Sequence, residues 1–327
     1  MTKPIIGIDV SKLTLDVVLI QNSRETYRQF KNDSTGYKQI MDWSRKQVEE
    51  KVQVCMEATG QYGLAAAKYL NSYGFEVSVV NPARIKAYAV SKLKRNKTDK
   101  ADAKLIAEFC LKEKPSLWTP PPAHFLALKA LIYRLDDLKN MKQQENNRTE
   151  FEAAHPVVND DLQEHLAFLN RQIKKVQGTI HGHIQAFPDL KHLVALLISI
   201  PGIGEITAAR IISEVGNMHE FNNTRQLTAF AGLNPKKFLS GSSIHKKPRL
   251  SKTGNAILRK ALFMPAIVAM KHNPIIRTFC DRLIARGLPK MAVVAAAMRK
   301  LLCLSYGILK NQMPFDPNFL TKKVLVP

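Results

Sequence analysis

Residues 4–10 form a short apolar run that ends in Gly-Ile-Asp-Val, and LTLDVVLI at 13–20 reads as a second strand. A third strand is expected at 25–31, then a turn at Asn32-Asp33-Ser34 and a helical stretch to about residue 48. VQVCMEAT at 52–59 gives a fourth strand, followed by a helix from about 62 to 72 and a strand, EVSVVNP, at 76–82. Helices near 83–92 and 99–112 complete the segment. Three early strands followed by alternating helix and strand predict a mixed sheet covered by helices.

Pro115 and the run Pro120-Pro121-Pro122 mark a boundary. Beyond it Leu128, Leu131, Leu135 and Leu138 are spaced three and four apart, and the pattern returns at Leu162, Leu166, Leu169, Ile173, Val176 and Ile180. These steps are those of a heptad seam, so 124–185 is expected to form two long helices, either a hairpin within the chain or a coiled coil between subunits. The remainder, about 190–312, reads as helices joined by loops. The expected domains are thus 1–115, an α/β domain; 123–187, a helical coiled-coil region; and 190–327, a mainly α domain.

The net charge is +22 over 327 residues, which points to a polyanionic partner. The bias is sharpest between Glu220 and Asp281, where no acidic residue occurs; Lys236, Lys237, Lys246, Lys247, Arg249 and Lys252 all lie in that stretch. A long stretch of one sign fits a surface that tracks phosphates. The first residues lack a signal-peptide layout, and the apolar tracts near the C-terminus, broken by Pro265 and by Arg299-Lys300, fall short of the ~20 residues of a membrane span. No membrane partner is expected. The four cysteines, Cys55, Cys110, Cys280 and Cys303, have no paired spacing and read as reduced thiols of a cytoplasmic protein.

Four carboxylates stand out. Asp9 ends the first strand, and Glu57 lies in the fourth, ahead of a Thr-Gly turn. Asp99 and Asp102 in KTDKADAKL are three apart at the start of a helix, hence on one face of it. Hard divalent cations require oxygen ligands, and a pair of them can stabilise the attacking and leaving oxygens of a phosphoryl transfer. Taken singly, each residue could be a turn or cap residue, but Asp9 and Glu57 sit in apolar strands where an unpaired charge is costly. Asp16 also interrupts a strand, and alternation assigns it to the solvent side.

LLISIPGIGEITAARIISEVG at 196–216 has the layout of a helix-hairpin-helix, in which Gly202 and Gly204 allow a tight turn whose N–H groups can face a phosphate. Next, AGLNPKKFLSGSSIHKKPRLSKTGNAILRKAL at 231–262 carries Ser240, Ser242 and Ser243 in what reads as a flexible basic loop. Serine is a poor nucleophile without a base or a metal, and spacing alone promotes none of the three. His245 in the same loop reads as a bystander.

Together these motifs resemble the DEDD transposases of the one-hundred-and-ten family of bacterial insertion sequences, which includes the pilin-gene invertases. GIDVSK, MEATG and KTDKADA are similar to its RuvC-like, ribonuclease-H-like N-terminal motifs; PGIGEITAARIISEVG, AGLNPKKFLSGSS and SKTGNAILRKAL are similar to its C-terminal transposase domain. The resemblance implies that Asp9, Glu57, Asp99 and Asp102 bind magnesium, with manganese as an alternative, and that Ser240 is the nucleophile. It also implies a homo-oligomer acting on double-stranded donor and target DNA, guided by a structured bridge RNA, in the bacterial cytoplasm at the nucleoid.

The expected reaction is DNA strand cleavage and rejoining through a covalent serine–DNA intermediate. A RuvC-like structure-specific nuclease using metal-activated water is the alternative. A non-catalytic nucleic-acid-binding protein and a sugar-kinase-like ATPase rank below it; the chain lacks a second Gly-rich phosphate loop that the latter would need.

Overall fold

The computed structural model describes residues 3–48, 50–58, 60–93, 98–150, 155–240 and 244–318, with side chains described throughout except at 61, 219, 237–240 and 244–248. The chain forms two compact units, Met1–Pro120 and Pro121–Pro327.

In the first unit, β1 (Ile5–Val10), β2 (Thr14–Gln21) and β3 (Arg24–Lys31) are followed by α1 (Ser34–Gln47), β4 (Gln53–Glu57), α2 (Gln61–Ser72), β5 (Glu76–Val80), α3 (Pro82–Ser91) and α4 (Asp99–Glu113). The five strands form one mixed sheet in the order β3-β2-β1-β4-β5. β2 runs antiparallel to both β1 and β3, whereas β4 is parallel to β1 and β5 to β4. This mixed, helix-covered sheet is the architecture that the strand and helix pattern predicts. Alternation along β1 separates two cores. Ile6, Ile8 and Val10 join Ile40, Met41, Ala66 and Leu70 of α1 and α2 on one face. Ile5 joins Cys55, Leu105, Ile106 and Phe109 on the other, beneath α4.

In the second unit, α5 (Ala123–Thr149) and α6 (Pro156–Ala186) pack along each other. They are antiparallel: His183 meets the carbonyl of His124 at one end, and His165 meets Glu145 at the other. The heptad seam is therefore used within the chain. Its residues Leu128, Leu135 and Ile180 share one core with Leu197, Ile211, Leu258, Val293 and Leu301 of the helices that follow, whereas Leu138, Leu166 and Leu169 are buried outside that cluster.

Those helices are α7 (Pro188–Ile198), α8 (Glu205–Val215), α9 (Thr224–Phe230), α10 (Ala256–Ala261), α11 (Phe263–His272), α12 (Pro274–Ala285) and α13 (Lys290–Asn311), with a 3-10 turn at Met218–Glu220. By length and composition α13 could cross a membrane, contrary to the expectation from its interrupting Arg299-Lys300, but Val293, Ala297, Leu301, Leu302 and Leu309 are buried in the core of this unit.

One expectation is corrected. The segment read as a flexible basic loop contains two antiparallel strands, β6 (Pro235–Ser240) and β7 (Ile244–Leu250). Phe238, Leu239 and Ile244 favour extended backbone, and Pro248 is tolerated because in a two-stranded sheet every strand is an edge.

Candidate active site

Asp9 lies at the C-terminal part of β1, on the face that carries α4. Two features put the acidic start of α4 beside it. Gly7, two residues earlier on the same face, has no side chain; a Cβ there would fall 2.3 Å from the Ala103 carbonyl oxygen and 2.8 Å from the Ala107 Cβ. Only glycine lets the helix lie directly on the strand. The helix itself begins at Asp99, capped by Thr98, whose hydroxyl accepts from the Ala101 N–H at 3.2 Å. Asp99 and Asp102 thus occupy its first turn.

The electrostatics follow from this packing. The Asp9 carboxyl is pushed from 3.8 up to about 6, first by burial, then by the charges of Asp102, Asp99 and Asp16, against a smaller opposing effect of the Val10 N–H. Glu57 ends β4, one register step beyond the Ile8–Met56 pairing of β1 with β4, so it enters from the adjacent strand. Among the described residues no three His, Cys, Asp or Glu side chains are drawn together closely enough to enclose a cation. The donor set is all oxygen and acidic, and it suits a hard divalent cation rather than a thiolate-loving one.

A fifth carboxylate was assigned wrongly from the sequence. Asp16 does not face solvent; it is 1 % exposed, directly opposite Asp9 in the β1–β2 ladder. β2 is an interior strand covered on both faces, so alternation there does not lead to water. Tyr27 Oη donates to Asp16 at 2.6 Å and Gln29 Nε2 at 3.1 and 3.3 Å. An Asp within a strand whose flanking residues are apolar in both phases was the signal that could have marked it.

In the second unit, Ser240 is the last residue of β6, paired with Ile244, and its side chain is outside the described set, as are those of Lys237, Lys246, Lys247 and His245. Ser242 and Ser243 lie outside the described residues. The exposed Lys236 is directly opposite the exposed Arg249. The base of the hairpin is tied to the helical core: the Ser251 N–H donates to Asn234 O, that of Lys252 to Gly232 O and that of Asn255 to Phe230 O. Asn255 also caps α10 and donates 2.7 Å to Glu214 Oε2, a buried carboxylate of α8. The Tyr133 hydroxyl of α5, pushed well up by burial and by its hydrogen bond to Glu214, belongs to the same cluster.

The expected helix-hairpin-helix segment is a pair of helices, α7 and α8, joined by Pro201-Gly202-Ile203-Gly204. Gly202 is turned towards α11, where a Cβ would fall 2.7 Å from the Ala269 Cβ, so its smallness serves packing. Gly204 has open space beside it and caps α8, whose first residue, Glu205, pairs with His181 at 2.8 Å.

Residues 179–281 match the family described as Transposase IS116/IS110/IS902, and residues 6–150 match the transposase family DEDD_Tnp_IS110. The pilin gene-inverting protein of Moraxella bovis is 34 % identical over 319 residues, which span 97 % of this chain and 98 % of that one. The chain belongs to the IS110 family of transposases. A transposase for insertion sequence element IS1111A from Coxiella burnetii is 40 % identical over 74 residues, 23 % of this chain and 20 % of that one. Among solved structures, T. thermophilus RuvC in complex with Holliday junction substrate is similar at 12 % identity and a TM-score of 0.26, over 32 % of this chain and 90 % of that one. As a member of the IS110 family the chain is a DNA recombinase, and the expected enzyme class holds. The curated relatives, transposases and gene inverters, do not favour the plain-nuclease alternative.

Proposed function

We propose that this transposase cuts and rejoins DNA through a covalent serine–DNA intermediate, with Asp9, Glu57, Asp99 and Asp102 as the ligands of magnesium or manganese and Ser240 as the nucleophile. The observation that carries the cation part of the reading is the crowding of carboxylates at Asp9, whose half-buried carboxyl is pushed up first by burial and then by the charges of Asp102 and Asp99. When bound, the cation would polarise the scissile phosphate and neutralise charge that develops on it.

The protein's own residues supply the rest. Ser240 Oγ forms a bond to phosphorus, and the bond from phosphorus to one deoxyribose oxygen breaks. Ser240 Oγ gives up its proton, and the leaving oxygen takes one up to depart as a hydroxyl. Attack by a hydroxyl of the new partner strand reverses these changes and frees the serine. The phosphodiester energy is kept in the ester, so joining needs no ATP. Lys236 and Arg249 are exposed cations opposite one another in the hairpin, a surface that suits a phosphate of the DNA or RNA backbone. Lys237, Lys246, Lys247 and Lys252 extend the same basic arm, and the turn at Gly202 and Gly204 would add main-chain contacts.

Sequence choice would rest on base pairing with a bridge RNA, as in other RNA-guided systems. The family resemblance implies a homo-oligomer in which the first unit of one subunit meets the second unit of another.

The test is adduct trapping. The protein is expressed with its whole native element, given DNA carrying the element junction and magnesium, then denatured. DNA bound to protein is expected. The adduct should vanish in Ser240→Ala and persist in Ser242→Ala and Ser243→Ala. Cleavage with no adduct would replace the serine by water as nucleophile.

A further inference from the structure

We propose that Asp16, fixed by Tyr27 and Gln29, is a positioning residue of the carboxylate site, holding the Asp99 end of α4 and the Asp9 carboxyl in register for a divalent cation. The inference rests on the reading of the tetrad as a cation site. Its starting point is an energetic anomaly. Asp16 is almost fully buried in the interior strand β2, between Leu15 and Val17 of the opposite face and beside Val18 of its own. An apolar residue would be the stable choice at such a place, since a buried carboxylate is costly unless its lone pairs are occupied. Here they are occupied by two donors from one neighbouring strand, the Tyr27 hydroxyl and the Gln29 amide.

The arrangement reaches the tetrad from two sides. Across the ladder, Asp16 is paired with Asp9 itself, and directly opposed side chains on one face have Cβ atoms about 5 Å apart. Through Tyr27, Asp16 reaches the start of α4. The Tyr27 ring carries the Lys100 ammonium 5.2 Å from its centre, and the Tyr27 hydroxyl is pushed up to about 12, chiefly by its bond to Asp16, with burial and then the charges of Asp16 and Asp99 adding to it. Lys100 stands between Asp99 and Asp102 in sequence. One turn further, Lys104 pairs with Glu25 of β3 at 2.6 Å. The edge strand β3 therefore grips the acidic end of α4 by Lys100 on Tyr27 and by Lys104 on Glu25, and Asp16 anchors the tyrosine of that grip.

Outer carboxylates and hydroxyls that orient the ligands of a metal typically change its affinity 10–100-fold when removed. The measurement is calorimetric titration of the full chain with Mn2+, in wild type, Asp9→Asn, Asp16→Asn and Tyr27→Phe, with thermal unfolding of each cation-free protein alongside. Asp16→Asn keeps an oxygen that can accept from Tyr27 and keeps the volume. The expected result is an affinity about 10–100-fold weaker in Asp16→Asn, and weaker in the same direction in Tyr27→Phe, with cation-free unfolding temperatures that do not fall in proportion. A folded Asp16→Asn protein whose Mn2+ affinity stays within about twofold of wild type overturns the proposal. If that variant does not fold, Tyr27→Phe decides, and an unchanged affinity there overturns it equally. Wild type that fails to bind Mn2+, or binds it as well with Asp9→Asn, overturns the tetrad reading itself and this inference with it.

Discussion

Gly7 of β1 and Ala107 of α4 meet with no room for a side chain between them. The contact fixes how near the acidic end of the helix comes to Asp9. Gly7→Ala should overpack this junction, at a cost of about 1–3 kcal/mol, and displace α4 from the sheet. Denaturant midpoints give the stability loss, and Mn2+ titration should show weakened binding. A variant as stable and as tight-binding as wild type would refute the role given to this contact.

Asp9 yields a pH prediction. Its value in the folded protein, about 6, lies above the ordinary 3.8, so the protonated carboxyl favours folding. That contribution is complete below about pH 4 and is lost as the pH rises through about 6. Asp9→Asn, which cannot ionise, should be more stable than wild type above pH 6 in the absence of cations, by on the order of 1 kcal/mol after allowing for the solvent that reaches a half-buried group. Strand cleavage should be abolished in the same variant. Unfolding temperatures from pH 4 to 7 provide the check; parallel curves for the two proteins would show that the carboxylates do not crowd one another.

The basic hairpin should declare itself through salt. Lys236→Ala and Arg249→Ala should each weaken binding of DNA evenly across sequences, and each should lower the slope of log affinity against log salt by about 1. Loss of affinity for one sequence alone would instead indicate base reading.

Gly254 has a φ of +135°, and a Cβ on it would fall 2.3 Å from the Phe230 carbonyl oxygen. Gly254→Ala should therefore disturb the root of the hairpin. Covalent adduct should be lost, whereas Mn2+ binding, assigned to the first unit, should remain. Loss of both activities together would show that the substitution acts through general unfolding.

Much of this was legible in the chain. The first unit reads well because its strands are short apolar runs with clear turns and its helices are marked by caps such as Asp33, Asn81 and Thr98. Asp9 and Glu57 stand out because charges in apolar strands are rare. Asp16 was missed for the converse reason: alternation predicts a solvent face only where a sheet has one, and β2 is covered on both sides. The hairpin was missed because Lys, Ser, Gly and Pro dominate its composition and leave few apolar residues to mark a strand. The heptad seam could not reveal from spacing alone that it would be satisfied within the chain; that depends on where α7 through α13 fold back on it.

The root of the hairpin has one more consequence. Main-chain bonds from Ser251, Lys252 and Asn255 to residues 230–234 leave the arm without a wrist. The root is part of the helical body, so whatever displaces α9 or α10 displaces the base of β6 and β7 with it. On the proposed roles of the hairpin and of Ser240, holding the nucleic acid and aiming the nucleophile would be a single task for this body, and a poorly seated duplex would spoil the aim.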